Sequence, residues 1–261
     1  MRTGTSRRSG VIARGASSTD TIPSGEPRRD RAKYHRLIEF GEALPAIRKR
    51  VRRDLARPGL PRERVLAAIV RILEETMVRV GNEEYVRANR SFGLTTLRRR
   101  HAVVTRREVR IRFRGKGGQL HEASLRDRRV ALIVSRCHAL PGQPLFEYLD
   151  DEGAVRSIGS EDVNGYIHEI AGGDFTAKDF RTWGATIAAY GALLHADPTH
   201  RSQSAAIGAA AERLGDTLAS ARSAYVPPRL LAAHLEGRLQ GRSRLGRRAT
   251  ERQLVSILRP R

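Results

Sequence analysis

Between Val78 and Ala102 the sequence concentrates side chains of the types that bind phosphate. The segment reads VRVGNEEYVRANRSFGLTTLRRRHA, and the periodic apolar helix that precedes it breaks at Gly81-Asn82. The donors are guanidinium, phenol and hydroxyl groups together with backbone N–H groups, carried by Arg79, Tyr85, Arg87, Arg90 and the turn at residues 93–97. Donors of this kind on a helix end and the loop after it are typical of a site for phosphate groups.

A lysine on a glycine-rich turn is the second candidate. Lys116 lies in the sequence Gly115-Lys116-Gly117-Gly118, between two segments of alternating apolar and polar residues. The chain has only four lysines among its 49 basic residues, which favours a functional role for one placed on a flexible, exposed tip. The alternative is an ordinary solvated hairpin lysine.

The third candidate is an arginine in the first turn of a helix. Thr176 and Asp179 form a capping box, in which the threonine caps the helix and the aspartate reaches back. Arg181 then lies beside the positive end of the helix dipole, where an anion is favoured. An isolated arginine is weak evidence in a chain this basic.

A tyrosine close to a double proline completes the set. A helix that Asp216 and Thr217 open must end before Pro227-Pro228, because proline disfavours helical geometry in the residue before it. Tyr225 is therefore predicted at a frayed helix end, from which its hydroxyl can reach outward. The alternative is a tyrosine that fills an amphipathic core.

The patterns predict a mainly helical α+β domain that positions these residues. Two helical patterns run from Tyr34 to Leu55, and a strongly apolar stripe from Val65 to Val80 predicts a buried helix whose end carries Arg79. Three alternating segments between His101 and Leu125 predict a small three-stranded antiparallel sheet. Further helices are predicted at 127–140, from Ser160, from Thr176, at 205–214, at 217–226 and from Thr250, with Leu132 on the buried face of the first and Thr250 capping the last.

Composition limits the partners. The 261 residues carry a net charge of +21 with a pI near 11.4, which indicates a polyanionic partner, most simply nucleic acid. The alternative is a proteome rich in arginine. The single cysteine, Cys137, excludes an internal disulfide framework and fits a reducing compartment, and no apolar run approaches the roughly 18 residues of a membrane span. Residues 1–30 are predicted to be a disordered basic leader, although their arginines and serines also mimic a transit peptide.

Taken together, these residues and their spacing resemble the type IB DNA topoisomerases, in the compact form of poxviruses and bacteria. The matching positions are Arg79, Gly81, Tyr85, Gly93-Leu94, Thr96-Leu97, His101, the pair Gly115-Lys116 with His121, the run Lys178-Asp179-Phe180-Arg181-Thr182, and Gly215-Asp216 with Tyr225 nine residues after Asp216. The resemblance extends from about Tyr34 to the C-terminus and implies one catalytic domain at 31–261.

The resemblance implies a reaction and a set of roles. Tyr225 would attack a DNA phosphate to give a 3′-phosphotyrosyl link, Arg79 and Arg181 would clamp the phosphate oxygens, and Lys116 would protonate the departing 5′ oxygen. The residues implied to bind DNA are Tyr85, Thr96, Arg100, His121 and Lys178. Neither metal nor nucleotide cofactor is expected. The partner would be double-stranded DNA and not a membrane, and the protein would be a cytoplasmic, nucleoid-associated monomer.

The sequence departs from the family pattern in two respects. Residues 1–30 cannot form the N-terminal β-rich clamp domain of family members, and Asp216 stands where they have histidine or asparagine. A carboxylate about 6 Å from a phosphate would repel it by about 3 kcal/mol at an effective dielectric constant near 20. Alternatively, Asp216 caps the helix that begins at Thr217 and points away from DNA.

Two other functions remain open. A tyrosine recombinase or integrase would share the catalytic core, although Lys178 stands where recombinases usually carry the histidine of H-x-x-R and no helical core-binding domain precedes Arg79. A catalytically weakened, DNA-binding remnant of a topoisomerase is the second alternative, motivated by Asp216 and by the missing clamp.

Overall fold

Helices form most of the domain, and two small antiparallel sheets complete it. The computed structural model describes residues 28–239 and 246–259. The helices are α1 (Arg28–Asp54), α2 (Arg62–Thr76), α3 (Glu83–Asn89), α4 (Arg128–Ala139), α5 (Ser160–Ala171), α6 (Ala177–Leu193), α7 (His200–Leu214), α8 (Leu218–Ser220), α9 (Pro228–Leu235) and α10 (Arg247–Leu258). The strands are β1 (Ala102–Val104), β2 (Glu108–Arg114), β3 (Leu120–Arg126), β4 (Glu147–Leu149) and β5 (Val155–Ser157). The predicted α+β class is confirmed, with β4 and β5 pairing as a second sheet.

Helix α1 is continuous where the sequence predicted two helical segments, and Pro45 lies inside it. Its apolar face is buried, and Phe40 packs edge-on against the rings of Phe180 and Trp183 of α6. A Cβ at Gly41 would lie 2.4 Å from the Trp183 ring, so the absence of a side chain there lets α1 and α6 approach closely. The core of the domain is built around this contact.

Helix α2 buries its apolar stripe as predicted but ends earlier than predicted. Met77 adopts the left-handed conformation (φ 54°) and its N–H donates to the Leu73 carbonyl, which closes the helix after Thr76. The prediction that α2 extends to Val80 was therefore wrong, and Arg79 lies in the irregular segment after the helix.

That segment is held by a backbone contact between two glycine-containing loops. The N–H groups of Leu94 and Thr95 donate to the carbonyls of Arg79 and Val80 at 2.8 and 2.7 Å. A Cβ at Gly93 would lie 2.4 Å from the Gly81 Cα and 2.8 Å from the Arg79 carbonyl oxygen. Only glycine at position 93 allows the two backbones to come this close.

The predicted three-stranded antiparallel sheet is present, and its strand order is β1-β2-β3. Its inner face buries Val109, Ile111, Phe113 and Leu125 against the helices. The β2–β3 connection is the predicted glycine-rich tip, which forms a short 3₁₀ turn at Lys116–Gly118.

Helix α4 begins at the predicted place, where the Asp127 side chain accepts from the N–H groups of Arg129 and Val130. Leu132, predicted to face the core, is 48% exposed on its outer side, whereas Val130, Ile133 and Cys137 are buried as expected. At the start of α6, the predicted contact from the Asp179 side chain back to the Thr176 backbone is present, since the carboxylate accepts from the Thr176 N–H at 2.8 Å.

The segment after α7 is not the single helix that the sequence predicted. Gly215 closes α7 in the left-handed conformation, the one-turn helix α8 follows, and residues 221–225 form a π-helical turn that ends with Tyr225. The N–H of Val226 donates to the Ala221 carbonyl at 3.0 Å, five residues back. The prolines that follow end the helical geometry, as expected.

Buried ion pairs join α1 to both α2 and α10. Arg48 of α1 contacts Glu74 of α2 and Glu251 of α10 at 2.5 and 2.6 Å, and all three side chains are at most 13% exposed. Helix α10 starts at Arg247 with Gly246 as its cap, so the prediction that Thr250 caps it was wrong.

The predicted leader at residues 1–30 lies outside the described residues up to position 27, and α1 begins at Arg28. Among the described helices, none combines the length and the apolar character that crossing a membrane requires. Cys137 is a buried free thiol whose pKa burial raises to about 11.

Gly93→Ala should destabilise the protein, because the added methyl group overlaps backbone atoms that cannot rotate away. We expect the free energy of unfolding to fall by about 1–3 kcal/mol, measured by urea denaturation. Gly165→Ala is the matched control, since this glycine lies inside α5 with no atom near its Cβ position. It should stabilise by about 0.4–1 kcal/mol. Equal effects of the two substitutions would contradict the close-contact role of Gly93.

Candidate active site

A cleft of about 760 Å³ lies between the loop after α2, helix α3, the hairpin tip and the start of α6. Its lining includes most of the residues selected from the sequence: Arg79, Tyr85, Lys116, Lys178, Arg181 and Tyr225. These positions are separated by up to 146 residues along the chain, and the fold brings them to one surface.

Arg79 reaches the cleft from the glycine-held loop. Its side chain is 31% exposed, and Nη2 donates to Asp216 Oδ2 at 2.8 Å. The N–H groups of Leu94 and Thr95 hold the loop at the Arg79 carbonyl and at the next carbonyl, that of Val80. The guanidinium therefore has a fixed base and a partly solvated head, which suits it to bind an incoming anion.

Arg181 forms the buried floor of the cleft. The residue is 4% exposed, and its guanidinium donates to the carbonyls of Met77 and Leu214. Burial, followed by the positive charge of Arg79, lowers its pKa from the ordinary value. Its Nε atom has no hydrogen-bond partner among the described residues. A buried cation with a free donor is a strong site for a further anionic ligand.

Tyr225 lies directly against Arg181. The guanidinium carbon is 5.7 Å from the centre of the phenol ring, and the tyrosine opposes the lowering of the Arg181 pKa. The backbone carbonyl of Tyr225 accepts from the Thr186 hydroxyl of α6 at 2.9 Å. The residue does end a helical segment, but it is 8% exposed, so the predicted outward-reaching, frayed position was wrong. The π-helical turn directs it into the cleft instead.

The remaining lining cations are exposed. Lys116 lies on the hairpin tip and is followed by Gly117 and Gly118, each with φ of +72°, and Lys178 lies in the first turn of α6. Helix α3 buries none of its side chains, and its Tyr85 is 58% exposed at the edge of the cleft. These side chains present donors and an aromatic face to solvent at the mouth.

Asp216 matches neither of the alternatives in full, because it divides its two carboxylate oxygens between a backbone N–H and the arginines. One oxygen, Oδ1, accepts from the Thr217 N–H at 3.0 Å, and the other, Oδ2, lies 2.8 Å from Arg79 and 3.6 Å from Arg181. The cap of α8 itself is Thr217, whose hydroxyl accepts from the Ser220 N–H. Burial would raise the pKa of Asp216, but the Thr217 N–H and the arginines outweigh it, so the pKa is lowered. The carboxylate is therefore ionised between two guanidinium groups.

Three residues predicted to contact DNA are not part of the cleft lining. Thr96 is buried, and its hydroxyl both accepts from and donates to the Gly93 backbone. Arg100 is exposed on the 3₁₀ turn before β1. His121 is half-buried and its ring stacks on Phe113 behind the hairpin. Thr96 supports the Arg79 loop, and its hydroxyl is not free for a phosphate.

Several residues that line the cleft or support it were not among the predicted site residues. Asn82 lines it and caps α3 by accepting from the Glu84 N–H at 2.7 Å, a role that the Asn-Glu-Glu sequence after Gly81 is sufficient to indicate. Ser91 and Phe92 also line it. The carbonyls of Met77 and Leu214 hold Arg181, and as backbone groups they leave no signal in residue types.

The chemistry available here is the binding and substitution of a phosphate group. Two guanidinium groups, a lysine and a phenol converge on one cleft, and forked guanidinium donors match phosphate oxygens. In the part of the chain that the structure describes, no group of three or more His, Cys, Asp or Glu residues lies close enough together to hold a metal ion.

Comparison with known proteins places the chain in a family context. Residues 23–220 match the family model described as eukaryotic DNA topoisomerase I, catalytic core. DNA topoisomerase 1B of Acanthamoeba polyphaga mimivirus is 32% identical over 169 residues, which are 63% of this chain and 50% of that protein. DNA topoisomerase 1 of Mycosarcoma maydis is 22% identical over 192 residues, 67% of this chain and 19% of that protein. The chain thus spans half or less of the length of these curated relatives.

One solved structure is similar over most of the chain. The XerH site-specific recombinase, bound to palindromic difH substrate in a post-cleavage complex, aligns with a TM-score of 0.42 and 14% identity. The alignment covers 86% of this chain and 54% of the recombinase chain.

Asp216→Asn should lower stability in a pH-dependent way. Because the folded pKa of Asp216 is lowered, its contribution is present above the unfolded value near 3.8 and is lost as the pH falls through the folded pKa. At pH 6 we expect the free energy of unfolding of Asp216→Asn to be about 1.5–3 kcal/mol lower than that of the wild type, and this difference should shrink as the pH approaches 3. Asp174→Asn is the control, because that carboxylate is 90% exposed and its pair with Arg36 is 3.5 Å long. A stability difference that does not change with pH would contradict a stabilising role of the Asp216 ion pairs.

Proposed function

The chain belongs to the family of the eukaryotic DNA topoisomerase I catalytic core, and on that premise we propose that it is a type IB DNA topoisomerase. It relaxes supercoiled duplex DNA by cutting one strand through a transient 3′-phosphotyrosyl link and then resealing it. The single observation that carries the proposal is the convergence of Tyr225, Arg79, Arg181 and Lys116 on one cleft. The contact between Arg181 and Tyr225 supports it most directly, because it pairs a nucleophile with an oxyanion donor.

The two arginines bind the scissile phosphate from different environments. Arg79 is partly solvated, and it meets the phosphate first and orients it. Arg181 is buried, so its charge acts at low dielectric, where the stabilisation of a developing oxyanion is strongest. Removal of one such donor costs about 10²–10³ in rate in other enzymes.

In the cleavage step one bond forms as another breaks. The Tyr225 oxygen forms a bond to phosphorus and the phenol gives its proton to solvent, while the bond from phosphorus to the 5′ oxygen breaks. Lys116 gives a proton to the departing 5′ oxygen, so that the strand leaves as an alcohol. The reverse sequence reseals the strand. The bond energy is kept in the phosphotyrosine, so the reaction needs neither a nucleotide nor a metal ion.

The duplex binds across the mouth of the cleft. Tyr85 and Lys178 contact it near the phosphate, and Arg100 adds charge further along the surface. The net charge of +21 gives sequence-independent attraction to the DNA backbone, with the steep salt dependence of such binding. We propose that the protein acts as a monomer on duplex DNA and is located in the cytoplasm, at the nucleoid.

A second candidate function is a DNA-binding remnant with little activity. The observation that favours it is the ion pair of Asp216 with Arg79, because a carboxylate there occupies donors that a phosphate needs. The recombinase alternative has no comparable observation in the described residues, and Lys178 remains in place of the usual histidine.

Relaxation of supercoiled plasmid in EDTA and without ATP tests the proposed function. We expect the wild-type protein to relax the plasmid and to form an SDS-stable adduct on the 3′ side of a nicked duplex. Tyr225→Phe should do neither, since it lacks the attacking oxygen. Tyr148→Phe, a half-buried tyrosine of β4 that does not line the cleft, is the matched control and should keep both activities. An adduct formed by Tyr225→Phe would show that Tyr225 is not the nucleophile.

Asp216→Asn should speed the chemical step. The amide keeps an oxygen for the Thr217 N–H but no longer competes with phosphate for Arg79 and Arg181. We expect single-turnover cleavage to be about tenfold faster or more, which corresponds to about 1.4 kcal/mol per decade. Asp174→Asn should cleave at the wild-type rate. An unchanged rate in Asp216→Asn would show that the carboxylate leaves the arginines when DNA binds.

A further inference from the structure

His121 lies behind the cleft, on the inner face of the sheet. It pairs across the ladder with Phe113, and the two rings stack with their centres 5.5 Å apart and 21° between their planes. The residue is half-buried and does not line the cleft. A direct contact with DNA, which the sequence suggested, is therefore not the role that its placement supports.

Two edges of the imidazole ring face two different glycines. A Cβ at Gly115 would lie 2.4 Å from Cδ2 and 2.7 Å from Nε2 of His121. A Cβ at Gly215 would lie 2.9 Å from Cε1 and 3.0 Å from Nδ1. Contacts this short are almost never made by a real Cβ, so a methyl group at either position would displace the ring. The imidazole fills the gap between the two backbones.

The two glycines precede functional residues on separate elements. Gly115 is followed by Lys116 on the hairpin tip, and Gly215 is followed by Asp216 and then by the segment that ends at Tyr225. Among the described residues, no hydrogen bond joins positions 115–119 to positions 214–218. The ring of His121 thus lies against both the element that carries the lysine and the element that leads to the tyrosine.

The charge state of the ring fits a packing role. Burial, followed by the charges of Arg79 and Arg181, lowers the pKa of His121, and only Asp216 opposes this. A neutral ring adds no further charge beside the phosphate site, and its shape is what the neighbouring backbones meet.

We propose that His121 is a positioning residue that sets the separation between Lys116 and the Asp216–Tyr225 segment, so that the proton donor is aligned with the leaving 5′ oxygen. The inference rests on the proposed cleavage reaction. Loss of the ring lets the hairpin move relative to the tyrosine, and a misplacement of about 1 Å can cost about 100-fold in rate.

The first test is single-turnover cleavage with two substrates. We expect His121→Ala to cleave a normal duplex about 100-fold more slowly at unchanged DNA affinity, whereas His121→Phe, which keeps a stacked ring, stays within about tenfold of wild type. With sulfur in place of the bridging 5′ oxygen the thiolate leaves without a proton, because thiols are much stronger acids than alcohols. The defects of His121→Ala and Lys116→Ala should both disappear on that substrate. A defect that persists there, or a loss of DNA affinity at a normal rate, would overturn the proposal.

A double-mutant cycle tests the spacer geometry itself. Gly115→Ala alone should slow cleavage, because its methyl group overlaps the ring, and the backbone there (φ −98°) accepts alanine without strain. In the His121→Ala background the methyl group has room, so the second substitution should cost nothing further or restore part of the rate. Strictly additive losses would contradict the contact between Gly115 and the ring.

Hydrogen exchange measured by mass spectrometry gives a readout that does not need activity. His121→Ala should speed exchange in the hairpin tip and also in residues 215–220, whereas a role confined to β3 would affect the hairpin alone. If the wild-type protein forms no adduct with either substrate, the proposed function is wrong, and exchange still decides whether the ring joins the two elements. Unchanged exchange at 215–220 would overturn the spacer role.

Discussion

The site depends on how a cation is held in the interior beside a tyrosine. A buried charge costs several kcal/mol unless it is paired or hydrogen-bonded, and Arg181 is almost fully buried beside a second arginine. The chain compensates with two carbonyls, those of Met77 and Leu214, and with the Asp216 carboxylate. The ends of α2 and α7 must therefore meet the start of α6. The early end of α2 and the end of α7 at Leu214 place these two carbonyls beside Arg181.

Much of the sequence signature shapes backbone and does not touch a ligand. Gly93 permits the approach to Gly81, Thr96 satisfies the Gly93 backbone, and Leu94 is fully buried beneath them. Together these residues fix the position of Arg79. Most of this motif therefore supports the position of one residue, Arg79, and we propose the same relation between His121 and Lys116.

The parts of the fold that residue types encode were predictable. Apolar periodicity placed the helices and the sheet, and the double proline fixed the end of the segment that carries Tyr225. The misses have a common origin in backbone geometry. A left-handed Met77 ended α2, a π-helical turn directed Tyr225 inward, and Asp216 divided its two oxygens between a turn and an ion pair. None of these follows from hydrophobic pattern, because each is decided by contacts between distant segments.

The bond between Thr186 and the Tyr225 carbonyl has a mechanical consequence. The Thr186 hydroxyl also lies 2.8 Å from the carbonyl of Thr182, the residue after Arg181, so its single proton is shared between α6 and the tyrosine backbone. This shared bond ties the backbone of Tyr225 to α6. In the covalent complex that we propose, torque from an untwisting duplex would enter the protein at Tyr225. That load would pass into α6 and from there into its aromatic packing with α1. The strained link is thereby anchored in the core of the domain and not at its surface.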